Sequence, residues 1–140
     1  MDTNDMVNNP PHYKQYSFEV IELTKHFPFC EGNAIKYIMR APFKGSFEED
    51  LDKAAWYLDY AEKMPRTDRM SELAHFSAYK LIGELDSDDI SHHAYAALLC
   101  IVHSIKNEHL LGVARREILL WKEKCREQYS KRSNQPTMHT

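Results

Sequence analysis

Glycine is scarce in this 140-residue chain, with 4 in all, and the 6 prolines sit near the ends or at element boundaries. So thin a supply of turn formers excludes a many-turned β architecture and favours helices. Cysteine is rare and odd in number, at Cys30, Cys100 and Cys125. Spacing this wide offers no disulfide framework and no CxxC metal knuckle, and predicts reduced thiols in a cytosol. There is no basic surplus. The formal net charge is −3, whereas a polynucleotide binder ordinarily matches the phosphate backbone with excess Lys and Arg. No polynucleotide partner is therefore expected, although a free nucleotide needs only a local cluster of cations. The longest apolar run, residues 94–102, is far too short to span a bilayer. Residues 1–11 are polar and lack the apolar core of a signal peptide. No membrane partner is expected, and a cytoplasmic location is.

What is present is an ordinary globular composition, 43% hydrophobic and 28% charged, too apolar for disorder. The length suits one compact domain, or two very small units sharing a core. The pattern predicts an all-α fold of about six helices. After the extended segment Asn9-Pro10-Pro11-His12-Tyr13, helices are expected over residues 18–26 behind an N-cap at Ser17, 33–41 after the break at Gly32-Asn33, and 47–64 behind a capping box at Ser46-Phe47-Glu48-Glu49. Further helices are expected over 69–85, with an apolar stripe of Leu73, Leu81, Ile82 and Leu85, then over 90–106 and 109–129. This divides the chain into a helical unit at 8–64, a three-helix unit at 65–130 and a tail at 131–140.

The helical period splits the second helix cleanly. Ala34, Ile35, Ile38 and Met39 fall on one side, and Asn33, Lys36, Tyr37 and Arg40 on the other. The polar stripe holds two cations and no acid, and Lys44 follows just beyond it. The third helix repeats the device: Leu51, Ala54, Ala55 and Leu58 form a core face, with Lys53, Trp56, Tyr57 and Tyr60 opposite. Two helices joined by a short loop pack antiparallel. The expected product is a groove with Lys36, Arg40, Lys44 and Lys53 for phosphates and Trp56 and Tyr57 for stacking on a base. The alternative for such stripes is a solvated face or an oligomer contact. Self-association of the chain is expected on the strength of its exposed aromatics.

The segments Asn9-Pro10-Pro11-His12-Tyr13, Glu19-Val20-Ile21, Gly32-Asn33-Ala34-Ile35-Lys36-Tyr37-Ile38-x-Arg40, Lys44, and Glu49-Asp50-Leu51-x-Lys53-Ala54-x-Trp56-Tyr57-Leu58 together resemble the small nucleotide kinase domain of bacteriophages. The resemblance covers about residues 8–60. It departs at Tyr16-Ser17, where that family often has glycines, and at Asp52, where it usually has a basic residue. The resemblance implies phosphoryl transfer to deoxynucleoside monophosphates without a Walker-type P-loop, and this chain has no GxxxxGK[ST]. It implies a nucleoside triphosphate as phosphate donor, with Mg²⁺ allowed but not required, and the host cytoplasm as the location if a phage encodes the chain.

Under that expectation Lys36, Arg40, Lys44 and Lys53 clamp phosphates, with Lys36, Arg40 and Asp50 as the catalytic group. His12 and Tyr13 close over the nucleotide, and Asn33, Tyr37, Trp56 and Tyr57 contact base or sugar. Asp50 or Glu19 orients the acceptor or a metal ion; helix N-terminal charge compensation is the alternative role for Asp50. Two other functions fit the same residues. Glu19-x-x-Glu22 and Glu49-x-x-Asp52 resemble the acidic signature of all-helical nucleoside triphosphate pyrophosphohydrolases, whose facing pairs hold Mg²⁺. The cationic, aromatic groove also suits a non-catalytic protein that sequesters nucleotides against host defence. Elsewhere, His93, Cys100 and His103 share a helix face without the spacing of a zinc site, and Trp121 with Ile118 and Leu111 is expected in the core.

Overall fold

The computed structural model describes residues 16–43, 45–64 and 70–134. They form six helices: α1 (Val20–Thr24), α2 (Phe29–Arg40), α3 (Phe47–Lys63), α4 (Glu72–Gly83), α5 (His92–His103) and α6 (Leu110–Asn134). Among the described residues there is no strand. The fold is all-α, as the pattern requires.

The helix starts show what the sequence leaves open. α2 begins four residues before the expected Asn33, with Pro28 as its N-cap residue. Gly32 is therefore a helix-interior residue and not a break. Its lack of a side chain serves a close crossing, because a Cβ there would lie 3.2 Å from the Thr24 carbonyl oxygen at the end of α1. α1 is only 5 residues long, and Glu19, not Ser17, stands at its N-cap. Ser46 precedes α3 but makes no side-chain cap. Its hydroxyl instead donates to Asp50 Oδ2 at 3.3 Å. Caps do form at Ser71 and Ser91, whose hydroxyls accept from the backbone N–H groups of Ala74 and Ala94, each at 3.1 Å. These caps fix α4 and α5 two or three residues later than expected.

Packing follows the apolar stripes. Ala34, Ile35, Ile38 and Met39 of α2 meet Leu51, Ala54 and Leu58 of α3, all fully buried. α3 is also covered by α6, which packs in turn on α5. Trp121, Ile118 and Leu111 are core residues, and the Trp121 indole meets the Phe47 ring edge-on at 4.9 Å. The α3–α6 contact carries three ion pairs: Glu48 with Arg126 at 2.6 Å, Asp52 with Lys122 at 2.5 Å, and Asp59 with Arg115 at 2.5 Å. Rising numbers on α3 meet falling numbers on α6, so the two helices run antiparallel. In α4 one expected core residue is misplaced: Leu73 is 75% exposed, while Ala78 and Ile82 are buried. No helix among the described residues is long and apolar enough to cross a membrane.

Candidate functional site

The polar stripes of α2 and α3 meet at Tyr37. Around its ring centroid stand Lys36 Nζ at 4.7 Å, Lys53 Nζ at 5.5 Å and Arg40 Cζ at 6.0 Å. Cations at this range are attracted by the ring's negative face, which offsets part of their mutual repulsion. Tyr57 lies parallel to Tyr37, with centroids 6.1 Å apart and planes at 13°. The aromatic surface continues outward. Phe29 meets Tyr57 edge-on, Trp56 meets Tyr57 at 5.2 Å, and Trp56 stacks on Tyr60 at 5.3 Å. Phe29 and Trp56 are 74% and 59% exposed.

Two acids temper this cluster in different ways. Glu49, solvent-exposed, pairs with Lys53 at 3.1 Å. Its hydrogen bond and its charge hold the Lys53 ammonium above the ordinary lysine value. Asp50 is 1% exposed, turned into the α2–α3 contact and away from solvent. It sits in the first turn of α3, accepts the Ser46 hydroxyl, and faces Arg40 Nε at 3.7 Å. That Nε is buried without a hydrogen-bond partner, so the contact with Asp50 is one of charge. Asp50 is thus a positioning residue for the Arg40 fork across the α2–α3 turn. Lys36 has no acidic partner among the described residues.

The structure brings together Lys36, Tyr37, Arg40, Asp50, Lys53, Trp56 and Tyr57. Asn33 lies on the same stripe but donates its amide to the Phe29 carbonyl at 2.8 Å, leaving its side-chain oxygen for other use. His12, Tyr13 and Lys44 lie outside the described residues. The four carboxylates of the metal alternative do not gather. Glu22 pairs with Lys25, Glu49 with Lys53 and Asp52 with Lys122, and among the described residues no three His, Cys, Asp or Glu side chains are arranged to hold a metal ion. Short i, i+3 acid spacing says nothing about which neighbouring cation claims an acid, and here lysines claim Glu22, Glu49 and Asp52. Phe29 was not expected at this face, because a helix starting at Asn33 excludes it. Counting from Pro28 would have placed Phe29 at i−4 to Asn33, on the same stripe.

A separate cleft of ≈ 410 Å³ lies between Glu62 of α3 and the start of α6, beside His109, Arg115 and Arg116. Arg115 is spent on Asp59 there, and a Cβ at Gly112 would come within 3.0 Å of the Glu62 carboxylate.

A family model described as a protein of unknown function, DUF3310, matches residues 7–59. The matched stretch holds Lys36, Tyr37, Arg40, Asp50, Lys53, Trp56 and Tyr57 and ends just before Tyr60, and the family's description names no activity. No curated protein and no solved structure matches the chain.

Proposed function

We propose that the chain binds nucleotides on the α2–α3 face and acts as a P-loop-free kinase of (deoxy)nucleoside monophosphates. The observation that carries this is the convergence of Lys36, Lys53 and Arg40 on the Tyr37 ring, within 6.0 Å of its centroid. Three like charges gathered at one point repel, and among the described residues the acids paired with them are Glu49 and the buried Asp50, which offset them only in part. An anionic ligand completes the balance. The adjoining rings of Tyr57 and Trp56 supply stacking area for a base, each worth ~1–3 kcal/mol in comparable single-strand sites. The resemblance of residues 8–60 to the phage kinase domain supplies the reaction class.

Phosphoryl transfer consists mainly of positioning and of neutralising charge on the transferred group. Lys36 and Lys53 act as point charges on phosphate oxygens, and Arg40 offers a fork whose direction Asp50 sets. A nucleoside triphosphate donates the phosphoryl group and a monophosphate accepts it, giving two diphosphates. Mg²⁺ arriving with the triphosphate would supply further positive charge to the transferred group, beside Lys36, Lys53 and Arg40.

Incubation of the pure protein with labelled deoxynucleoside mono- and triphosphates, followed by separation of products, tests this directly. Diphosphate formation from both substrates supports the kinase. Saturable binding with the nucleotides returned unchanged would identify a sequestering protein on the same face. Absence of binding to either would remove the nucleotide reading altogether.

A further inference from the structure

α4 is apolar on both sides. Ala78 and Ile82 face the core and are fully buried. On the opposite side Leu73 and Phe76 stand in solvent, Phe76 at 58% exposure, and Tyr79 is half exposed, with one side of its ring 5.5 Å from the His103 ring of α5. Exposed apolar side chains grouped on one helix face and bracketed by charges mark a candidate contact surface. The outer face also has an internal symmetry. Phe76 lies at its centre, with Glu72 and Lys80 four residues before and after it, and Leu73 and Tyr79 three residues before and after. Lys80 Nζ leans over the Phe76 ring at 5.6 Å. Glu72 and Lys80 are both exposed.

We propose that this face is the contact between two copies of the chain, with the two α4 helices antiparallel about a two-fold axis at Phe76. A self-complementary patch is what such an interface requires. Antiparallel pairing sets Phe76 against Phe76, Leu73 level with Tyr79 of the second copy, and Glu72 level with its Lys80, about 6 Å of helix rise from the axis. The charges at the two ends are then opposite across the axis. A parallel pairing would set Glu72 beside Glu72 and Lys80 beside Lys80. The ends thus select the antiparallel arrangement, and the aromatic centre supplies the buried area. The inference is independent of what the α2–α3 face binds.

Sedimentation velocity of the full chain tests it. The wild type is expected to sediment as a dimer. Phe76→Glu, at an exposed position, should yield a monomer with an unchanged helical circular dichroism spectrum. Glu72→Lys and Lys80→Glu should each raise the dimer dissociation constant by roughly tenfold, since two attractive pairs become repulsive. An equimolar mixture of those two variants should restore wild-type dimerisation, because each then meets its opposite charge. A wild type that stays monomeric, a dimer that Phe76→Glu leaves intact, or a mixture no tighter than its components would overturn the proposal. The second of these results would mean that a different surface joins the copies, and the first that another partner or another part of the same chain covers α4.

Discussion

Arg40 and Asp50 depend on each other. Asp50 is buried, and its ionic neighbour is the Arg40 guanidinium, 3.7 Å away. Truncating Arg40 leaves a buried carboxylate with the Ser46 hydroxyl as its side-chain donor. Arg40→Ala should therefore cost stability as well as binding, by about 1–3 kcal/mol. The Arg40→Ala/Asp50→Ala double variant should recover much of that stability in urea denaturation and none of the nucleotide affinity. Lys36→Ala removes a cation that has no acidic partner among the described residues and only the Tyr37 ring beside it, so it should lose affinity with little change in stability. Tyr16 offers a second check at this scale. Its hydroxyl donates to the Met39 carbonyl at 2.8 Å, near the end of α2, and burial pushes the phenol well above the ordinary tyrosine value. Tyr16→Phe strands that carbonyl and should cost about 1 kcal/mol in the same denaturation experiment.

At the scale of the helices, the faces were legible and the ends were not. The alternation of Ala34, Ile35, Ile38 and Met39 with Lys36, Tyr37 and Arg40 fixed which side of α2 is buried, because helical period alone decides it. The same held for Leu51, Ala54 and Leu58 against Lys53 and Trp56. Gly32 misled because a glycine at a helix start and a glycine at a helix crossing look alike in sequence. Only the approach of the Thr24 carbonyl distinguishes them. The Ser46 capping box misled because Asp50 captured the hydroxyl. Leu73 misled because α4 is apolar on two faces and the period cannot say which one meets the core. The burial of Asp50 was invisible for the same kind of reason: it depends on the turn that brings Arg40 to it. Ser91 is a cap that does form. Ser91→Ala should lower stability by about 1 kcal/mol, visible as a reduced urea midpoint with an unchanged slope.

For the whole molecule, α3 is the element on which both halves depend, lying between α2 and α6. Leu58 is fully buried on it. Leu58→Ala should cost about 2–5 kcal/mol and loosen the nucleotide face and the α6 contact together. The α3–α6 ion pairs are exposed or half-exposed and contribute less. The Asp59 carboxyl is held below its ordinary value, chiefly by the hydrogen bond from Lys63, with Arg115 adding to it. A depressed carboxylate stabilises the fold above its unfolded pKa of about 3.9 and loses that contribution as pH falls through the lowered value. Asp59→Asn should thus be slightly less stable than the wild type at neutral pH and indistinguishable from it in strong acid.

The two tryptophans provide the decisive measurement, since Trp121 is in the core and Trp56 stands exposed beside Tyr57. In a Trp121→Phe background, Trp56 fluorescence reports on the α2–α3 face alone. Titration with a deoxynucleoside monophosphate should quench it saturably, and Lys36→Ala should weaken that binding at least tenfold while the helical spectrum is unchanged. Quenching that does not saturate, or an affinity that Lys36→Ala and Arg40→Lys both leave untouched, would mean that the three cations around Tyr37 hold no nucleotide.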